Sequence, residues 1–398
     1  MSQDQKAVAL MAAIHATGRR LLKVKRPPPA TAGGTPLMNI TIAVHPTSTM
    51  TLAKEIELVK GALLYADHVT LCSPAYELLA CSAALAQSDT DTQMQFLSDV
   101  LPIIAPDQAL VAQTLKRLMG KGHKRTAAEL IALGQLKKQL PAQWKPMADF
   151  INRLYLDAGA GELQEPIQKG LLDLDFLELR NTSTDEVVHG FMKRLHEYLN
   201  DARAYPMFDD RAGNLARLAL DAGAFTASAT SLKRADEAGL GTGLIDRLPS
   251  FPDANIEAVL ETRQEVEEHV GRFRRAVSKM REGIGSSALD ADFAQGVERV
   301  FLSEVRAAVE DIQAAMDASS LGRRLVAAGN KQVGVAALSL GMFQITDWPL
   351  LVKVGVTGVA ATVATAAGWQ SASGGKRQAE GNDLFFLYRT QRELDERS

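Results

Sequence analysis

The stretch 39–74, "NITIAVHPTSTMTLAKEIELVKGALLYADHVTLCSP", decides how this chain starts to fold. Its first piece, "NITIAVHP", is a short β-rich apolar run ended by Pro46. Ser and Thr residues then offer helix caps, and Leu52, Ile56, Val59, Leu63 and Leu64 recur at helical spacing. "HVTLCSP" reads as a second strand, stopped by Pro74. Strand, helix and strand within about 35 residues is the size of a βαβ unit. Such a crossover is right-handed and makes its strands parallel. A ligand meets a sheet of this kind at the C-terminal ends of its strands, here near His45 and Ser73. No glycine-rich phosphate loop follows either strand, so a nucleotide has no motif to bind it.

Downstream, from Pro74 to about 205, amphipathic helical blocks follow one another, separated by Gly, Pro and Asp turns. "GLLDLDFLELR" (170–180) reads as either strand or helix. In "RAYPMFDDRAGN", Pro206 breaks the preceding helix and Asp209 or Asp210 caps the next. Two long helices follow, over "NIEAVLETRQEVEEHVGRFRRAVSKM" and "DFAQGVERVFLSEVRAAVEDIQAAMDA". Leu384, Phe385, Leu387 and Tyr388 of the last element need a surface to bury against. The expected fold is mainly α, with a small N-terminal α/β (strand-helix-strand) element. Its divisions are a flexible basic extension (1–37), a βαβ-like element (38–75), helical domains (76–205 and 206–330), an apolar hairpin (331–369) and a linker with a C-terminal element (370–398). Met38, directly before the first strand, is a candidate for the true start.

The 398 residues carry 44 Lys and Arg against 47 Asp and Glu, a formal net charge of −3. A protein built mainly to coat nucleic acid is usually basic, so that class is disfavoured. The hydrophobic fraction of 46% belongs to a folded chain, and aromatics at 6% leave the core to Leu, Ala, Val and Ile. Two cysteines, Cys72 and Cys81, form no metal or redox spacing and fit a reducing cytoplasm. No cofactor motif is present.

Among chemistry-bearing residues, Asp209, Asp210 and His45 are the catalytic candidates: a carboxylate pair for acid/base or metal work and a histidine at a strand end. His45 and His68, at the edges of the βαβ unit, can meet in space. His189 and His196 share a helix face. "GLGTGLIDR" (239–247) reads as a turn. Lys121, Lys124 and Arg125, with Arg272, Arg274 and Arg275, form two basic runs open to an anion or nucleic acid. Glu residues upstream of the second run compete by pairing along the helix.

Residues 331–369 are nearly all apolar, with small side chains at Gly355, Gly358, Ala360, Ala364 and Gly368 that let helices approach closely. Ala, Gly and Thr give little transfer energy, so a buried or partner-covered hairpin is favoured over a constitutive span, with conditional membrane action between the two.

The "LLYADHVTLCSP" strand after its Pro-ended extended segment, the block "FPDANIEAVLETRQEVEEHVGRFRRAV" (251–277) and the terminal "FLYRTQREL" resemble a bacterial family of unknown function. The resemblance implies a fold type and a setting in mobile or defence-associated regions, and no catalytic residues. The expected function is a cytoplasmic accessory or effector protein acting through a protein partner or homo-oligomer, associated with phage defence. The alternative is a metal-assisted hydrolase or nuclease using Asp209 and Asp210.

Overall fold

Two parallel strands leave a row of backbone groups unpaired on each outer edge, and the chain matches both rows with strands from far downstream. The computed structural model describes residues 3–22, 38–46, 52–120, 126–177, 184–316 and 379–397. In it β1 (Asn39–Ala43), α2 (Ala53–Tyr65) and β2 (His68–Cys72) form the βαβ unit, preceded by helix α1 (Gln3–Leu22). β1 pairs in parallel with β2, Ile40 opposite Val69 and Ile42 opposite Leu71. β3 (Leu172–Leu174) joins β2, and β4 (Ala204–Phe208) joins the free side of β1. The order is β3-β2-β1-β4, all parallel. The protein is mainly helical, with this small α/β element set in it.

β4 differs from its reading as a helix break. Pro206 lies inside a strand, opposite Thr41. The N–H of Asp209 donates to Ala43 O (3.3 Å), so by the two-residue alternation of a strand Pro206 turns its ring nitrogen to the open edge. Proline is tolerated on such an edge strand.

Helices α3 (Pro74–Ala86), α4 (Thr90–Ile104), α5 (Ala109–Met119), α6 (Ala127–Asp157) and α7 (Gln164–Gln168) lie between β2 and β3. After β3 come α8 (Thr184–Asn200), α9 (Asp210–Asp221), α10 (Ala229–Ile245), α11 (Ile256–Arg281), α12 (Phe293–Val300) and α13 (Phe385–Arg397). One sheet face, with Ile40, Ile42, Val69 and Leu71, belongs to a large core shared with α2, α10, α11 and α13. The other, with Ala43 and Cys72, packs on Phe191, Leu195 and Leu199 of α8 and Ala212 and Ala216 of α9. A third cluster joins α1, α4, α5 and α6 around Met94, Phe96 and Trp144.

The N-terminal stretch is not wholly a loose extension. Over 3–22 it is helix, and its Leu10, Ala13, Ile14 and Leu21 pack into the third cluster. Gly18 permits this: a Cβ there would overlap the Cα and Cβ of Cys81 on α3.

The α2–β2 turn, α11 and α13 meet in space. Arg263 and Arg274 of α11 grip the turn between α2 and β2. Arg263 donates to Leu63 O, Ala66 O (2.6 Å) and Asp67 O (3.1 Å). Arg274 donates to Tyr65 O (2.6 and 2.9 Å) and, fork-wise, to both oxygens of Asp67 (3.0 and 3.1 Å). Between these arginines Phe273 packs edge-on to Tyr65 and stacks on Phe386 of α13, ring centres 4.7 Å apart. The terminal apolar residues thus bury against α11, with Phe386 and Leu387 fully covered.

Candidate functional site

From β1 the chain steps outward to β2 and β3, then returns to place β4 on the opposite side of β1. The direction of winding reverses between β1 and β4, and crevices open at the C-terminal ends of strands where this happens. His45 follows β1 and Asp209 follows β4 at this point. The His45 N–H donates to Asp209 Oδ1 (3.0 Å), and the Ala212 N–H donates to the same oxygen (3.0 Å). Asp209 is therefore the N-cap of α9 and also a tie between two strand ends. Its neighbour Asp210 is exposed in the first turn of α9, where a carboxylate suits the helix dipole.

A carboxylate stands at the end of every strand, but not all have a counter-charge. Glu77, on the helix after β2, receives His15 Nε2, the Leu177 N–H (3.0 Å) and Arg19 (3.8 Å). Asp175, after β3, receives the Tyr198 hydroxyl (2.6 Å) and Arg194 (3.2 Å). Glu55, buried in the first turn of α2, accepts from Ser73 Oγ (2.8 Å) at the end of β2. Burial raises its pKa, the charge of Asp209 adds to this, and the Ser73 hydrogen bond opposes it. Among the described residues neither Glu55 nor Asp209 forms an ion pair. The His45 ring meets Phe191 edge-on at 5.9 Å, and its Nδ1 is buried without a described hydrogen-bond partner.

A cavity of about 580 Å³ opens beside β4, between α2, the start of α9, α10 and the segment leading into α12. Leu58, Met207 and Phe293 give it apolar wall, and Asp209, Asp210, Asp246 and Asp290 give it acid. Arg247 is the one cation among its described lining residues. That guanidinium is committed to Glu298 (2.6 Å), Gly243 O (2.8 Å) and Ala294 O (3.1 Å). Asp246 is half-buried, yet its Oδ1 is sealed from solvent and has no hydrogen-bond partner among the described residues. Burial pushes its carboxyl up to about 7. Glu57 adds to the rise, and Lys54, Arg247 and Lys60 oppose it.

A larger hollow of about 830 Å³ lies between α3, α6 and β3. Its lining is Tyr76, Tyr155, Asn152 and other neutral groups, and its one acid, Asp173, already pairs with His68 (3.2 Å). Its lining thus offers no unpaired charge, and the acidic crevice is the better candidate.

Several expected sites fall elsewhere. His45 and His68 do not meet: parallel pairing puts them at opposite ends of the sheet, with His68 opposite Asn39. His196 stacks on Phe225 at 5.0 Å and reaches Thr226 Oγ1 (3.2 Å), while His189 is exposed. No group of three His, Cys, Asp or Glu side chains among the described residues is placed to hold a metal. "GLGTGLI" is not a turn but the last part of α10, where a Cβ on Gly241 would come within 2.5–2.8 Å of the Tyr65 ring. Arg274 is spent on Asp67, and Arg272 on Glu380 O and His269 (2.9 Å); Arg275 is exposed. Lys121, Lys124 and Arg125 lie outside the described residues, as do Gly355, Gly358, Ala360, Ala364 and Gly368. No described helix is long and apolar enough to cross a membrane. Sequence reading missed Glu55 and Asp246. For Asp246 the signal was an acid directly after an apolar, glycine-spaced helix.

Compared with protein families, curated proteins and solved structures, the chain has no match.

Proposed function

We propose that this protein is an accessory or effector protein that binds a small ligand in the crevice between β1 and β4 and acts through protein contacts. One observation carries the reading. At the point where the strand order reverses, Asp209 ties the two strand ends together beside a cavity whose acids form no direct ion pair among the described residues. Protein contacts have their support in Leu110 and Ile131, which stand 77% and 64% exposed on α5 and α6. Free, buried Cys72 and Cys81 accord with a cytoplasmic location. A bacterial, defence-associated setting belongs to the same proposal on the resemblance of the 39–74 and 251–277 blocks.

Protein-observed methyl NMR with a fragment library tests the crevice. Binders should shift the methyl signals of Leu58, Met207 and Val297, which line it. Binders that all map elsewhere would defeat the reading. A metal-assisted hydrolase or nuclease is the second reading, and it rests on Glu55 and Asp209, two buried acids close enough for one to raise the proton affinity of the other. Two carboxylates and water suit a hard divalent cation. Stoichiometric Mn²⁺ binding by calorimetry, lost in Asp209→Asn, with phosphodiester cleavage, would move the function to hydrolysis.

A further inference from the structure

We infer that the hollow between α3, α6 and β3 is a second binding site, for a neutral, largely apolar small molecule whose oxygen acceptor meets the hydroxyls of Tyr76 and Tyr155. This site is separate from the β1/β4 crevice and stands whether or not that crevice is functional.

The sequence of α3 makes the hollow. That helix lines it with Ala80, Ala83 and Ala84, whose methyl groups cannot fill a space of about 830 Å³. Such a volume suits a small molecule. Ile167, Leu174 and Phe176 supply apolar wall. Leu156 and Leu22 line it too and stand 64% and 37% exposed, so they form an apolar rim. Its polar point is a short chain of hydrogen bonds whose three members all line the hollow. Gln164 Nε2 donates to the Tyr155 hydroxyl (3.3 Å), which meets the Tyr76 hydroxyl (3.2 Å). Two hydroxyls carry two protons, and their one contact uses one of them. Whichever tyrosine donates, the proton of the other has no acceptor among the described residues. Tyr76 and Tyr155 are only 3% and 8% exposed, and a donor left unmet at such a depth is costly. An acceptor entering the hollow meets it. Burial, with Tyr155 beside it, raises the pKa of Tyr76, so its hydroxyl stays a neutral donor. No cation is among the described lining residues, and the one acid, Asp173, is engaged by His68 (3.2 Å). A charged ligand would therefore give up water and gain no counter-charge.

The full chain is titrated with acetophenone, a neutral ketone, and with the charged analogues benzoate and benzylammonium, and followed by methyl NMR. Millimolar affinity is expected for ligands of this size. The ketone should shift the signals of Ala84, Leu156 and Ile167, which line the hollow, and bind at least about fivefold more tightly than either ion. Tyr76→Phe combined with Tyr155→Phe removes the two hydrogen-bonding partners together, a change that is nearly neutral for stability. Ketone affinity should then fall about fivefold while the circular dichroism spectrum stays unchanged. Ala84→Leu puts a larger side chain into the hollow and should abolish the ketone-induced shifts, and it decides the question even where the tyrosine pair fails to fold. An ion that binds as tightly as the ketone overturns the inference. So does ketone affinity that survives either variant, or a ketone that shifts none of the lining methyl groups.

Discussion

Replacing Arg274 by methionine removes the fork that holds the α2–β2 turn and keeps most of the aliphatic stem. The guanidinium makes two contacts to Tyr65 O and two to the Asp67 carboxylate. Hydrogen bonds to charged groups contribute about 1.5–3 kcal/mol, but these share acceptors. The side chains are 23% and 29% exposed, so water recovers part of the loss. A net destabilisation of about 2–3 kcal/mol follows, below the cost of breaking a fully buried pair. Urea unfolding of Arg274→Met, Asp67→Asn and the double variant measures it, with a coupling of about 1–2 kcal/mol expected between the two residues. Acid gives a second readout. Burial alone would raise the Asp67 carboxyl; the hydrogen bonds from Arg274 and the Met38 N–H and the charge of Arg263 outweigh it and hold the carboxyl below its ordinary value. Its contribution is therefore complete at neutral pH and is lost as pH falls through the folded-state value. The stability gap between the native chain and Arg274→Met should narrow on acidification to about pH 3. A loss below about 0.5 kcal/mol, or a gap that does not narrow, would refute the clamp.

Gly18→Ala should lift α1 from α3, because the new methyl would overlap Cys81 backbone; faster proteolysis within 3–22 at unchanged core stability is the expected result. Phe386→Ala removes a fully buried ring stacked on Phe273 and should cost about 3–5 kcal/mol in urea unfolding, with a loss under about 1 kcal/mol contradicting the docking of α13. Asp246→Asn should stabilise the ligand-free chain at about pH 8 by about 1–3 kcal/mol. The folded carboxyl, faced by Glu57, Lys54, Arg247 and Lys60, titrates at about 7, above its unfolded value, so charging it costs stability as pH rises. The gain should shrink as pH falls through about 7 and be gone below about pH 4, and a gain that does not change with pH would show the carboxyl is ordinary.

The βαβ unit was legible because its strands are nearly pure apolar runs closed by Pro46 and Pro74, and its helix shows clear spacing. β4 was not, since Pro206 inside "AYPMF" reads as a breaker unless the strand is known to lie on an edge. β3 is only three residues long and leaves no periodic trace. Asp209 was legible as a helix cap from the residues around it, but its bond to His45 spans 164 positions and leaves no local trace. The same distance hid the roles of Arg263 and Arg274, which a sequence window shows only as charges beside glutamates. Glu55 looked like one more acid on an amphipathic helix. Its burial follows from the sheet edge it faces, not from its neighbours in sequence.

The placement of β1 in the middle of the sheet has a consequence for the order of events during synthesis. Its partner on one side, β2, emerges almost at once, but Ala43 pairs on the other side with Phe208. At ordinary translation rates about 10–30 s separate the two. Throughout that interval the nascent chain carries "ITIAV" with one row of backbone groups unmatched, a template for pairing with another chain. The yield of native molecules should therefore depend on what shields that edge until residue 208 arrives.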